Sequence, residues 1–493
     1  MTIGRQNNVR LLNPVTLPHF FACATLRCMP WISYTDGTPQ AWQAPTPDRA
    51  ARVLAERHAG TLRYCHDAKR WFVWDSVLWR RDCSEHVLLR IRAIARELGT
   101  DPEGLVGRNT GGVTFIAGAE RLARSEPALA ATAKTWDADP WSLGTPGGSV
   151  DLRVRRSEPS EAQAEPRALS VPAPAAHDNG PNDLLPADPV HGITRATAVA
   201  PSDTATCPIW LRFLDETFGG DAELIGFIQR FCGYALTGAT AEQGLVYGWG
   251  PGGNGKSVFL NTLLGVLSDY ARPATFAALV SNDRARYGAD LAALRGVRLV
   301  GVAESDGVWS ERRLKLITGG DAVPLPGGGV FRPCCKLLVM GNAPPALASV
   351  NGAIGRRLRV VPFRYSPEHA DRHLDDKLRA EWPGVLRWMI EGCRLWQAHG
   401  LGRPAAVVAA TIDVLEGQDP IGQFLLECCE GSPDDCSRSV TAGDVFAAWH
   451  VWATAAGEPV GTQRAFAAAL VERGFARERT NCTRLYRGLS LRD

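Results

Sequence analysis

A chain of 493 residues has room for about three domains, and its 45% hydrophobic and 22% charged content is ordinary for globular protein. The sequence has no run of 18 uninterrupted apolar residues, which excludes a membrane helix, and Pro14, Pro18, His19 and Pro30 break up any secretory signal. The 13 cysteines form no Cys-x-x-Cys pair, so neither a zinc ribbon nor a disulfide framework is indicated and reduced thiols in a cytoplasmic protein are the simpler account; a net charge of +2 leaves room only for a local basic surface.

Residues 1–47 have no sustained period and read as a loose leader. A domain of mixed α+β character is expected over 48–156. In it, Asp48–His58 has the pattern of a short amphipathic helix. Leu62–Cys65, Arg70–Trp74 and Leu78–Arg80 read as strands, and Val87–Leu98 as a helix with apolar residues at Val87, Ile91, Ile94, Ala95 and Leu98. The tryptophans here suit a small aromatic core. From Ser157 to about Pro189 the composition is Pro, Ala, Ser, Glu and Asp without an aromatic residue. Such a segment cannot bury enough apolar surface to offset its ordering entropy, and a disordered linker is expected over 157–204. Order returns in a helical lead-in, 205–243, with two apolar faces that include Trp210, Phe213, Phe227 and Phe231.

The stretch Gly250-Pro251-Gly252-Gly253-Asn254-Gly255-Lys256-Ser257 is G-x-x-x-x-G-K-S. Glycines allow successive backbone N–H groups to cradle phosphate oxygens. Lys256 can reach the outer phosphates of ATP, and the Ser257 hydroxyl can ligate Mg²⁺. A strand pattern leads in at 245–248 and a helix pattern leads out at 258–267, so the helix N-terminus would face the anion. Hydrolysis also needs an acid, a polar sensor and a cation. The apolar run 299–303 ends in Glu304, assigned to metal and water polarisation, with Asp306 as the second choice. The run 337–341 ends in Asn342, a sensor for the γ-phosphate. Arg356 and Arg357 precede a third apolar run, either as a finger for a neighbouring subunit or as a salt-bridged surface pair. The fold class expected over 244–405 is an α/β P-loop core with a parallel sheet.

The motif order resembles superfamily three helicases, AAA+-like ATPases of small DNA replicons, and within them the C-terminal half of the phage/plasmid primase family, related to poxvirus-type primase-helicases. The resemblance rests on residues 250–257, 294–304, 314–321, 331–345 and 355–363, with weaker likeness at 63–75, 136–143 and 210–238. It implies a homo-hexameric ring that moves on single-stranded DNA at replication forks, typically 3′ to 5′. The segment between Asp321 and Lys336 would be a hairpin directed into the pore. Lys315, Phe331, Arg332 and Lys336 would then be DNA or subunit contacts, with hairpin core as the alternative for Phe331. The stretch ahead of residue 60 is too short for a primase domain, so a separate primase is the expected partner. The last segment, 406–493, has the pattern of a winged helix with a basic wing, Arg473, Arg477, Arg479, Arg484, Arg487 and Arg492. The reading that follows is an ATP-dependent DNA helicase of a phage, prophage or plasmid. The alternative is an ATP-switched replication initiator or loader without processive unwinding.

Overall fold

The computed structural model describes residues 32–35, 38–41, 45–100, 110–154, 184–275, 291–303, 308–309, 311–324, 330–347, 352–367, 371–435, 437–479 and 483–492. Chain contacts divide into two compact units, residues 1–57 with 85–128, and residues 58–84 with 129–493. The contiguous 48–156 domain expected from sequence is therefore shared between them. Glu304 and Asp306 lie outside the described residues.

In the first unit the expected leader contains an antiparallel pair, Ile32–Thr35 with Thr38–Ala41. The helices Pro47–His58, His86–Gly99 and Val113–Ala123 bury small and branched residues at helical spacing, among them Leu54, Ile91, Ile94 and Ala119.

The second unit opens with a four-stranded sheet ordered Trp79–Arg81, Arg70–Trp74, Leu62–Cys65, Ala130–Ala131. Its tryptophans form an aromatic core, with Phe72 stacked on Trp136 at 4.5 Å between ring centroids and Trp79 edge-on at 5.5 Å. Part of the expected linker is packed. Leu184–Leu185 joins the sheet of Ser142–Thr145 and Gly148–Asp151, Pro189 O accepts from Trp79 Nε1, and Ile193 and Ala196 are buried. The linker composition gave way here because Leu184, Ile193 and Val199 supply apolar anchors that the preceding Pro/Ala/Ser stretch lacks.

The centre of this unit is a five-stranded parallel sheet. Its order is Ala271–Pro273, Leu299–Val302, Lys336–Gly341, Leu245–Trp249, Leu358–Pro362. Three of these strands are buried at nearly every position, as apolar runs between two helical layers should be. The first strand in sequence lies between the fourth and the fifth, so connections leave it in opposite directions. In open parallel sheets such a reversal leaves a crevice at the carboxyl ends of the strands.

The lead-in is helical as expected. Asp221 caps Ala222–Ala235 by accepting from Leu224 N at 3.0 Å, and Glu381 accepts from Ile209 N and Trp210 N at the start of Pro208–Phe218. Ala222–Ala235 packs along Trp382–His399 with backbones in contact. A Cβ at Gly233 would stand 2.0 Å from Cys393 N, and one at Gly392 2.1 Å from Gln229 O, so only glycine permits this crossing.

The helix Ala405–Glu416, assigned by sequence to the last domain, packs instead on the edge strand Leu358–Pro362, where Thr411 Oγ1 accepts from Val360 N at 2.9 Å and Ala410 and Val414 join the sheet's core. The C-terminal module has its own core, built on Phe424, Val445, Trp449, Phe466, Leu470 and Tyr486. It comprises helices Pro420–Cys428, Ala442–Ala456 and Gln463–Glu472 and an antiparallel sheet ordered Ser439–Thr441, Arg484–Arg487, Arg477–Arg479. The strand Ser439–Thr441 adds a third member to the two-stranded wing expected from sequence. Among the described residues no helix is long and apolar enough to cross a membrane.

Candidate functional site

The glycine loop joins Leu245–Trp249 to Lys256–Leu267 at the carboxyl edge of the sheet. Gly253 and Gly255 have φ of +78° and +81°, in the left-handed region that favours glycine. Space around the loop is unequal. A Cβ at Gly250 would collide with Phe363 O and one at Gly255 with the Phe213 ring, whereas Gly252 and Gly253 face open space. Pro251, Gly252, Gly253 and Ser257 are exposed, and the helix behind them starts at Lys256.

Lys256 is buried beneath this surface. Its Nζ donates at 2.7 Å to Gly250 O, Pro251 O and Asn254 Oδ1, and burial lowers its pKa. Asn254 is also buried, and its Nδ2 donates to Phe363 O beyond the edge strand. Sequence reasoning treated Asn254 as one of the phosphate-cradling positions and missed this anchoring role. The available signal was an amide side chain between two glycines, a type able to bond backbone on one side and an ammonium on the other.

Asn342 is exposed directly after Lys336–Gly341, the strand beside the loop strand, and Trp249 pairs with Gly341 in register. The two carboxyl ends are tied together, since Tyr247 Oη donates to Ala343 O. Loop and Asn342 thus share one edge.

The opposite, amino edge gathers the other basic residues. Arg356 is exposed and Arg357 half-buried at the end of Gly352–Arg357, and Arg357 Nη2 donates to Gln243 Oε1 at 3.0 Å, two residues before the loop strand begins. A five-residue strand is about 13 Å long, so neither arginine shares an edge with the glycine loop of its own chain. Lys315 is half-buried on Glu311–Thr318, in a mostly apolar cleft with Leu245, Trp309, Ile354 and Arg357.

The hairpin expected between Asp321 and Lys336 is formed, with Val323 opposite Phe331 and Pro324 opposite Val330. Arg332 is exposed. Phe331 is buried in the sheet's core, which corrects its assignment to DNA stacking in favour of the hairpin-core alternative. Lys336 is corrected too. It is 2% exposed, its Nζ donates to Thr237 O and to Cys334 O at 3.2 Å, and it lies 4.3 Å from the Tyr234 ring centroid. Burial, chiefly, lowers its pKa to about 7. An ammonium in that position is a structural cap and does not meet DNA. Arg298 is held similarly, donating to Leu236 O and Ser142 O with its guanidinium 4.3 Å from the Tyr270 ring centroid.

With this geometry in hand, the chain was compared with known proteins. Residues 51–219 match the D5 N terminal like family. A helicase-named protein of Acanthamoeba polyphaga mimivirus is 24% identical over 268 residues, covering 47% of this chain and 27% of that protein. A helicase-named protein of Frog virus 3 (isolate Goorha) is 27% identical over 270 residues, covering 48% of this chain and 27% of that protein. The chain thus spans about a quarter of the length of these curated relatives. The domain match and the viral relatives support a D5-type primase-helicase family and a replication helicase or primase-like role. Among solved structures, an apo structure of the NrS-1 C-terminal region is 11% identical with a TM-score of 0.48, covering 91% of this chain and 100% of that one. An A-form apo structure of the same region is 10% identical with a TM-score of 0.46, covering 90% and 99%.

Proposed function

We propose that this chain is the ATP-driven motor of a D5-type DNA helicase, an AAA+-like ring ATPase with a C-terminal winged helix, serving the replication of a phage, prophage or plasmid. The observation that carries the reading is the glycine loop. Its exposed Gly252 and Gly253 face open space, a helix N-terminus opens behind them, and a buried ammonium sits below. These residues fit a polyphosphate. Backbone N–H groups and the helix N-terminus accept negative charge, and no Cβ blocks close approach.

In this reading Lys256 exchanges the carbonyls of Gly250 and Pro251 for phosphate oxygens when ATP binds. The exchange is favourable because a charge-assisted bond to phosphate replaces bonds to neutral carbonyls. Ser257 and Glu304, with Asp306 as the second acid, would hold Mg²⁺, which neutralises charge on the outer phosphates. Asn342 orients the attacking water from the adjacent strand end. Arg356 and Arg357, on the far edge of their own sheet, serve the site of the next subunit, so the loop is complete only in a ring, read as a hexamer. Such a finger contributes roughly 10³–10⁵ in rate. Exposed Arg332 beside the hairpin and half-buried Lys315 are the remaining contacts to single-stranded DNA or a neighbouring subunit, and priming belongs to a separate primase.

The test is Lys256→Ala in the full chain, assayed for DNA-stimulated ATP turnover and for separation of a forked duplex. Both activities are expected to fall to background while the protein remains folded. Unwinding that persists in Lys256→Ala contradicts the motor. A wild type that binds ATP and DNA but separates no strands points to the switch-type initiator instead.

A further inference from the structure

The C-terminal module sorts its arginines into two groups. Arg438 pairs with Glu430 at 2.6 Å and Asp435 at 3.2 Å, Arg473 with Asp419 at 2.5 Å, and Arg487 with Glu478 at 2.9 Å, while Arg492 lies 3.9 Å from Glu430. Arg477, Arg479 and Arg484 are exposed and have no carboxylate partner among the described residues. They also share a face. Residues 477 and 479 are two apart on one strand, and Arg484 stands directly opposite Arg479 across the ladder, as Tyr486 does opposite Arg477. Tyr486 is buried in the core that also holds Phe466 and Leu470 of the helix Gln463–Glu472. The three arginines therefore lie on the helix-bearing side of the ribbon, and that helix leaves Gln463, Arg464 and Ala468 exposed.

Like charges directly opposed weaken a β-ladder. The exposed ribbon nonetheless keeps Arg479 against Arg484 with no acid between them, while Glu478 on the other face is consumed by Arg487. Such a face gains most from a partner with repeated negative charge. Guanidinium groups two residues apart on a strand stand about 6.8 Å apart. Long arginine side chains so spaced span successive phosphates of one DNA strand, which advance about 3.4 Å each along the axis. The ribbon is rigid, so its charges match a partner whose phosphates are themselves fixed in space.

We propose that Arg477, Arg479 and Arg484 form a phosphate-binding ribbon for duplex DNA, which holds the double strand beside the motor while Arg487 and Arg492 serve the fold. The proposal rests on the DNA-acting reading above, but it concerns binding without nucleotide and is tested separately from turnover.

The experiment titrates the full chain, without ATP, against a labelled duplex of roughly 20 base pairs, two helical turns, and against a single strand of the same length, over a series of salt concentrations. The triple variant Arg477→Ala/Arg479→Ala/Arg484→Ala should lose about tenfold or more in duplex affinity. Its slope of log affinity against log salt should shrink by about 2–3, because each lost phosphate contact removes about 0.9. Single-strand affinity and DNA-free ATPase should remain. The triple lysine variant should keep the wild-type slope, which separates lost charge from lost fold, and Arg487→Ala should leave the slope unchanged. An unchanged slope in the triple alanine variant overturns the proposal, and an equal loss for single strand assigns the ribbon to the single-strand path and overturns the duplex. Lys256→Ala should bind duplex as wild type does, so a failed motor and a failed ribbon give different patterns.

Discussion

The two edges of the parallel sheet use the same residue types to opposite ends. At the carboxyl edge, Lys256 is buried under a loop whose outer surface is bare glycine backbone, and its three acceptors belong to that same loop. At the amino edge, Lys336 and Arg298 cap the carbonyls of Leu236, Thr237 and Ser142 and lie over tyrosine rings. One lysine sits one layer below solvent and can change partners. The other is sealed, and burial holds its pKa near 7. A buried cation is therefore a functional group only where the surface above it is open.

The largest expected effect comes from the exposed part of the amino edge. Arg356→Ala/Arg357→Ala should lower ATP turnover by roughly 10³–10⁵ with ATP affinity retained, measured by steady-state kinetics and equilibrium binding. Mixing this variant with Lys256→Ala should restore part of the activity, because a ring can then combine an intact loop with an intact finger. A double variant that turns over at the wild-type rate would remove the amino edge from catalysis altogether.

Asn254→Ala tests the carboxyl edge. It removes the bond to Phe363 O and one acceptor of Lys256. Leaving buried groups without partners costs about 1–3 kcal/mol, which should appear as a lower melting temperature and a raised KM for ATP. If melting and KM both match wild type, the anchor does not set the loop.

The smallest effect is a pH dependence of stability. The folded-state pKa of Lys336, about 7, lies below its ordinary value of 10.5. Between those values the unfolded chain binds more protons than the folded one, so this residue makes stability rise with pH through that window. Below about pH 7 both states are protonated and the burial cost is complete. Thermal melts at pH 7 and pH 9 should therefore differ between wild type and Lys336→Met, with the wild type gaining about 2–4 °C more on the rise in pH, roughly 1 kcal/mol for a domain of this size. Equal gains would mean that Lys336 is neutral, or solvated, in the folded protein.

Much of the carboxyl edge was legible in the sequence because its chemistry is local. The eight residues from Gly250 to Ser257 specify a strand–loop–helix turn by themselves, and apolar runs ending in polar residues mark strand ends at Trp249 and Asn342. The amino edge was not legible. Lys336 opens an apolar run as a surface lysine would, and only the tertiary placement of Thr237 O and Tyr234 reveals it as a cap. Phe331 is half of a two-residue strand whose burial depends on a sheet formed by distant segments. The packing of residues 184–204 depends on Trp79, Asp137 and Asp269, each more than 45 residues away in sequence from its partner there. The helix Ala405–Glu416 reads equally well as the start of a new domain or the end of the old one, and its contact with Val360 decides the matter.

The most direct test of the central claim is an experimental structure of the full chain with a non-hydrolysable ATP analogue and Mg²⁺. The account predicts the β- and γ-phosphates against the backbone N–H groups of residues 252–257, with Lys256 Nζ moved from the carbonyls of Gly250 and Pro251 onto phosphate oxygen. Phosphates bound at the amino edge, or a loop that holds nucleotide while Lys256 keeps its carbonyl partners, would contradict it.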